Sequence, residues 1–539
     1  MNPPLTPLEP GRRAYLPPAI TGLTDLIDHH VAERPESRAL IVGAERLPVS
    51  YRALGEMVDG MAAQLRSTGL VSGDRVGLIS ANNTEFVVGL LAASRAGLVV
   101  APLDPALTRP EFSARLVELE ARAILAGPGT VGTPEARVDA PVWSLLAETD
   151  HGTATLDTSS RMPPRNGRST DEQSLQDALI LFTAGTTADA KMVPLTHTNV
   201  AASVQALCGT YKLGLDDATV AVMPLFHGHG LIATLLASLA TGGCVLLPER
   251  GRFSAHTFWD DLSAARATWF TAVPTIYEIL LARATQEFPV GYVAPLRFMR
   301  SCSAPLNAAT GRAMERLLGV PLLSAYGMTE TTHQATSEPL PRDGVLKQGS
   351  VGTPTGPELG IRDENGHPLP AGREGEIWLR GPAVTRGYLR NPTETAQSFV
   401  DGWFRTGDLG LVDEDGYLFL TGRIKNLINR GGEKIAPEHI EDVLAGHPDV
   451  IEAVAYAVPD RTYGERVAAA VVVAKDSGVT AEQILGYGRD RLSAFEVPDR
   501  VDIVDALPHT AKGAINRRAV SVAFAGSRSG TIYSQGVTP

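Results

Sequence analysis

An α/β fold with layered sheets and helices, followed by a small α+β domain, is the architecture this sequence predicts. Three observations predict it. Short apolar stretches alternate with longer helical patterns through roughly the first 420 residues, which is the rhythm of largely parallel sheets with helices between the strands. After about residue 422 the texture shifts to short strands and two short helices, enough for a separate domain of about 100 residues. A chain of 539 residues, 44% apolar and 20% charged, can bury a large core in more than one domain.

Each element follows in order. The stretch MNPPLTPLEPGRRAYLPP places prolines where a signal peptide needs a continuous apolar run. RVGLIS (75–80) reads as a strand, NTEFVVGLLAASRAG as a helix and LVVAPL (98–103) as the next strand. Residues 149–175 are polar and rich in breakers, and read as an exposed loop. GLIATLLASLATGGCVLL (230–247) is uncharged, but Thr241-Gly242-Gly243 divides it into a buried helix and a strand rather than a membrane span. FWDDLSAARATWFTAVPTIYEILLARA reads as helix, strand and helix. Further on, PEHIEDVLAGHP and AEQILGYGRDRLSAF read as helices, VIEAVAYAV and VAAAVVVA as strands. The join GRIKNLINRGGEKI is basic, contains glycine and can bend. The predicted division is a large domain over 1–424, a small mobile domain over 425–522 with its hinge at Lys425, and a disordered tail over 523–539.

Composition excludes some partners. A formal charge of −12 with no long basic stripe argues against nucleic acid. Cys208, Cys244 and Cys302 lie far apart, with neither zinc-ligand spacing nor a disulfide framework. That usage suits a reducing compartment, and the expected location is cytoplasmic with no membrane partner.

The chemistry begins at LFTAGTTADAKMVPLTH (181–197). Thr183, Gly185, Thr186 and Thr187 offer hydroxyls and open backbone N–H groups, and Lys191 adds a point charge, the makings of a phosphate nest. The stretch is not a P-loop, because no glycine precedes Lys191. SAYGMTETTH (324–333) sets Tyr326, Thr329 and Glu330 within five residues. GWFRTGDLG (402–410) presents Asp408 on a glycine turn, and TGRIK (421–425) presents Arg423 and Lys425.

In this order the pieces resemble the adenylate-forming superfamily of acyl-CoA synthetases, peptide-synthetase adenylation domains and luciferases, from about residue 20 to about residue 520. The resemblance implies ATP, Mg²⁺ and, as co-substrate, coenzyme A. It implies that the 183–191 loop holds the β- and γ-phosphates, and that Tyr326, with Gly327 and Met328 in its turn, stacks on adenine against Ser303, Ala304 and Pro305. It further implies that Thr329 bonds the α-phosphate, Glu330 carries Mg²⁺, Asp408 accepts from the ribose and Arg423 supports it. The small domain would then swing about Lys425 between adenylate formation and transfer. RGGEKIAPEHIE (430–441), with Gly431, Gly432 and Lys434, matches the segment that serves the second half-reaction and favours CoA as acceptor.

MPLFHGHGL (223–231) holds two histidines, RSCSAPL (300–306) two serines, and His333 closes the TETTH motif. Together they suggest a polar, cationic pocket for a small acid rather than an apolar fatty-acyl tunnel. These stretches look most like the oxalate–CoA ligase branch, in which His227 or His229, Ser303 and His333 would grip a small dianion, with His227 also a catalytic candidate.

Departures from the family pattern leave other readings open. Ala184 and Met192 replace a hydroxyl and a glycine expected in the phosphate loop, Met192 stiffening the turn. In LPHTAKGAINRR, Ala514 follows Gly513 where a catalytic lysine is expected, and Lys512 stands two places earlier. In an extended segment that spacing preserves the facing direction, so Lys512 is the candidate for the charge between acid and α-phosphate. The alternatives are a diazotase that activates nitrite for an aromatic amine, and a nucleotide-binding pseudo-enzyme.

Overall fold

Apolar strands that alternate with amphipathic helices can bury both sheet faces only by layering, and the computed structural model shows that layering. It describes residues 20–130, 140–160, 172–183, 190–289, 295–475, 477–509 and 515–524. Arg75–Ile79, Val99–Leu103 and Ala123–Ala126 form the parallel middle of a seven-stranded sheet. The helix Thr84–Arg95 crosses between the first two of these, capped by the Asn83 side chain on Phe86 N. A four-stranded sheet holds Arg38–Val42, Leu47–Ser50, Ala218–Val220 and Cys244–Leu246. Next to it, a five-stranded sheet runs Trp269–Ala272, Phe298–Ser301, Leu322–Tyr326, Thr336–Ser337 and Thr353–Pro354.

The sheets are less parallel than expected. Val142–Glu148 and Thr153–Asp157 pair as an antiparallel hairpin, as do Asp177–Phe182 and Met192–Thr196. Strands joined by so few residues leave no room for a crossover helix, so they fold back on each other. Part of the stretch read as an exposed loop, 153–157, is therefore strand. Met192 also differs from expectation. It is 2% exposed, inside a strand and packed with Val99, Ala101 and Ile180, so it fills core and does not stiffen the turn.

The uncharged stretch 230–247 divides as predicted. A wide π-helical segment, His229–Leu236, continues as α-helix through Ala240, and the chain turns at Thr241–Gly243 into the strand Cys244–Leu246. No helix among the described residues is long and apolar enough to cross a membrane.

A fully antiparallel sheet, Glu358–Arg362, Gly375–Arg380, Phe399–Val400, Trp403–Val412 and Leu418–Arg423, follows. Its last strand ends two residues before Lys425, and a separate sheet begins at Ile428–Arg430. That sheet adds Glu433–Ile435, Val450–Asp460, Gly464–Val473 and Arg500–Ile503, with the helices Pro437–Ala445 and Ala481–Arg489 against it. It keeps its own core, with Ile428, Ile440, Leu444, Val467 and Ile484 at its centre. The last described helix, Arg517–Phe524, reaches two residues into the stretch expected to be a disordered tail.

Candidate active site

One turn links the two ends of the site. The strand Leu322–Tyr326 stops at Gly327, where the chain doubles back so closely that an added Cβ would sit 1.7 Å from the His333 carbonyl oxygen. Only glycine fits there. The turn then carries Thr329 and Glu330 toward one end and His333 toward the other.

At the first end, Tyr326 is 6% exposed and its hydroxyl donates to Asp408 Oδ2 at 2.7 Å. Asp408 faces Arg423 across paired strands, and the guanidinium Nε lies 2.6 Å from Oδ1. Burial raises the Asp408 carboxyl above its usual range, and the Arg423 charge opposes that rise. Glu330 accepts from the Tyr388 hydroxyl at 2.8 Å; burial raises its carboxyl too, against that bond and the Lys191 charge. Lys191 pairs with Glu394 and lies 4.5 Å from the centre of the Tyr388 ring. Thr183 and Lys191 close the neck of their loop, Thr183 N to Lys191 O at 3.0 Å and Lys191 N to Thr183 Oγ1 at 2.9 Å. Gly185, Thr186 and Thr187 lie outside the described residues.

Lys425 joins this end. Its ammonium is pushed below lysine's usual value, by burial first and then by the Arg423 charge, while Asp408 and Glu330 act the other way. The hinge candidate is thus within electrostatic reach of both carboxylates. Sequence reasoning missed Tyr388 and Glu394, because RGYLRNPTETA carries no signal beyond an ordinary turn and helix start.

At the other end, His229 is 3% exposed, with Nδ1 3.1 Å from Ser303 Oγ and Nε2 2.6 Å from Thr271 Oγ1. The His333 ring stacks on it, centres 5.0 Å apart. His227 stands half-buried beside Phe226, ring centres 4.4 Å apart, and His229 joins the hydrogen-bonded cluster with Ser303 and Thr271. Ser303, Thr332 and His333 all adopt left-handed backbone, with φ of 75°, 51° and 80°. Such strain at non-glycine positions persists where the surrounding structure enforces it, and it gathers at functional sites. The π-helical start at His229 is a second such mark. Ala304, half-buried, and Pro305, exposed, follow Ser303.

Sequence reasoning also missed Arg300. It is fully buried and donates to Tyr211, Thr271, Gln334 and His333. The stretch RSCSAPL contains it, but nothing in the pattern separates a buried arginine from a surface one.

The small domain meets the large one near this cleft. Asn307 Nδ2 donates to Ala445 O at 3.3 Å. His509 lies 2.8 Å from Glu452, and Glu278 beside them is pushed up to about 7 by burial and then by the Glu452 charge. Lys512 and Ala514 lie outside the described residues. The hairpin of Ile428–Arg430 and Glu433–Ile435 turns through Gly431 and Gly432 at positive φ, and Lys434 pairs with Glu364.

An AMP-binding enzyme model matches residues 27–389, and a model of the AMP-binding enzyme C-terminal domain matches 439–514. The chain belongs to the AMP-binding enzyme family. It is 43% identical over 516 residues to an oxalate–CoA ligase of Arabidopsis thaliana, covering 93% of this chain and 98% of that one. It is 37% identical over 528 residues to an oxalate–CoA ligase of Saccharomyces cerevisiae, covering 91% and 95%. The structure of ATP-bound MatB from Rhodopseudomonas palustris superposes with a TM-score of 0.83 at 31% identity, covering 94% of this chain and 99% of that one. Family and relatives together support an ATP-dependent, AMP-forming acid–CoA ligase, and favour it over the diazotase and pseudo-enzyme readings.

Proposed function

We propose that the chain activates a small dianionic acid of the oxalate type as an acyl-adenylate and transfers the acyl group to coenzyme A. The observation that carries this reading is the pairing on one turn of a phosphate-end carboxylate, Glu330, with an acid-end imidazole, His333. On this reading the turn would bring the two reactants together, and holding them there would remove much of the entropic barrier to attack. In the first half-reaction a carboxylate oxygen attacks the α-phosphorus and pyrophosphate leaves; in the second the CoA thiol displaces AMP.

Asp408, ionised and buried beside Arg423, would accept from the ribose hydroxyls, with Tyr326 holding one of its oxygens and lining the adenine slot beside Gly327 and Met328. Thr329 would bond the α-phosphate, and Thr183 and Lys191 the β- and γ-phosphates. Glu330 fits a Mg²⁺ ion. Among the described residues no cluster of three or more His, Cys, Asp or Glu could hold a metal. Mg²⁺ commonly takes one or two carboxylates and draws its other ligands from water and substrate phosphates. When bound it would neutralise charge on the departing pyrophosphate.

Lys425 would be both hinge and local cation, turning the 425–522 domain from the adenylating arrangement to one in which Gly431, Gly432 and Lys434 reach the cleft. The Lys434–Glu364 pair would hold that hairpin aside until then. Lys512 remains the candidate for the charge that bridges acid and α-phosphate.

The test is AMP release by the pure protein with ATP, Mg²⁺ and CoA over a panel of acids of one to four carbons. CoA-dependent release fastest with oxalate or another small diacid supports the reading. Release that prefers monocarboxylates or needs no CoA overturns it.

A further inference from the structure

The proposed acid end holds a buried charge that has no carboxylate partner among the described residues. Arg300 lies on the strand Phe298–Ser301 and is fully buried. Among the described residues its partners are the Tyr211 hydroxyl at 2.7 Å, Thr271 Oγ1 at 3.0 Å, Gln334 Oε1 at 2.7 Å and His333 Nε2 at 3.1 Å, with His229 Nε2 at 3.4 Å. No carboxylate is among them. Three residues away, buried Arg297 shows the ordinary solution: it pairs with Asp217 at 3.0 Å. A buried guanidinium with only neutral partners is costly to keep, and an anion that enters the pocket relieves that cost.

Arg300 also fixes where the nearby hydrogens sit. A guanidinium has only donors. His333 Nε2 therefore accepts, and its proton is on Nδ1, which has no protein partner among the described residues. Arg300 Nη1 lies 3.4 Å from His229 Nε2 and can only donate to it, so that nitrogen accepts, and Thr271 Oγ1, which accepts from Arg300, turns its own hydrogen to His229 Nε2. His229 then carries its proton on Nδ1 and donates to Ser303 Oγ. The chain of donation runs from Arg300 through Thr271 and His229 to Ser303, whose hydroxyl hydrogen is left for a ligand at the exposed end. Gln334, turned with its oxygen to Arg300, leaves a buried Nε2 donor without a protein partner.

We propose that Arg300 is the specificity-determining residue of the acid pocket: it holds His229 and His333 as neutral Nδ1–H donors and supplies the positive charge that a second substrate carboxylate answers. This rests on the small-diacid reading of the site. Burial and then the Arg300 charge depress both histidines well below their usual value, in keeping with neutral imidazoles. Arg300 acts through its neighbours, as a positioning residue, and selects dianions over monoanions of the same size.

Two measurements test this. In ¹⁵N-histidine-labelled wild-type enzyme, without substrate, His229 and His333 should show neutral Nδ1–H tautomers at pH 7, assigned by loss of each signal in His229→Gln and His333→Gln. An Nε2–H tautomer or a charged ring at either position overturns the proposal, and this readout stands whether or not oxalate is the substrate. In the second, Arg300→Met should lower kcat/KM for oxalate relative to glycolate by about 30- to 100-fold, the size of a lost charged contact, with KM for ATP within about twofold. Arg300→Lys should recover part of the preference, because it restores charge but not the fork that reaches five partners. An unchanged oxalate-to-glycolate ratio in a folded Arg300→Met overturns the proposal; if that variant does not fold, the wild-type tautomers decide. Wild-type enzyme that ignores every diacid but shows both Nδ1–H rings overturns the substrate reading and supports the role of Arg300 in fixing the tautomers.

Discussion

At the nucleotide end, buried Asp408 and half-buried Glu330 are carboxylates that each hold a tyrosine hydroxyl, and each has a cation within reach, Arg423 or Lys191. At the acid end Arg300 carries a full charge, and its hydrogen-bond partners among the described residues are neutral. On the proposed reading the difference follows from what each end would bind. Nucleotide recognition would need acceptors for ribose and a carboxylate for a cation, so negative charge would be built in and balanced beforehand. A small dianion would bring its own negative charge, so its end would keep positive charge in reserve and otherwise present neutral donors.

The comparison breaks most sharply at Glu330. Glu330→Gln keeps the shape and can still accept from Tyr388, but it removes the carboxylate proposed for Mg²⁺. We expect AMP formation to fall about 10²- to 10³-fold, as when a group that stabilises transition-state charge is lost, with little change in thermal stability. Adenylate formation near the wild-type rate would remove Glu330 from the metal role.

The second break is at His333. Its loss to alanine should raise KM for the acid about ten- to a hundredfold, equivalent to about 1.5–3 kcal/mol for a hydrogen bond to a charged group, and leave KM for ATP nearly unchanged. Equal rises in both would mean that His333 only supports the turn it shares with Glu330. A smaller effect of opposite selectivity belongs to Asp408→Asn, which should raise KM for ATP about five- to tenfold and leave the acid untouched. Arg423 is half-exposed, so solvent should soften the loss of its partner.

How much of this was legible in the residues follows from what kind of signal each site leaves. Strand and helix rhythm around 75–103 and 255–287 appears in the structure nearly residue for residue, because the strands are buried on both faces and the helices Ala255–Ala265 and Pro274–Glu287 each bury one apolar face. The hairpin strand Thr153–Asp157 was not legible, since a polar alternating edge strand looks like a loop until its partner is known. At the nucleotide end the motifs are local, and Tyr326, Asp408 and Arg423 do come together, although 82 residues separate the first two. At the acid end, the histidines and Ser303 were legible as polar residues in apolar surroundings. Arg300 was not, because its meaning lies in the absence of a carboxylate partner, and only three-dimensional packing reveals an absence.

The smallest expected effect sharpens the comparison most directly. An ordinary surface histidine would become cationic as pH falls through 6.5, and a dianion would then bind more tightly at lower pH. Here His229 and His333 are depressed well below 6.5, by burial first and then by Arg300. Protonating either would put a second cation against a buried guanidinium, so both stay neutral as pH falls through that value, and the pocket gains no charge. KM for the acid should therefore stay flat, within about twofold, between about pH 6 and pH 8, while the acid itself remains fully ionised. Arg300→Met removes the second-largest cause of the depression, and in that variant KM for the acid should begin to fall as pH drops toward 6. A KM that already falls with pH in the wild-type enzyme, by a limb that His333→Ala abolishes, would show an imidazolium in the pocket. The acid end would then hold charge as the nucleotide end does, and the contrast between them would be gone.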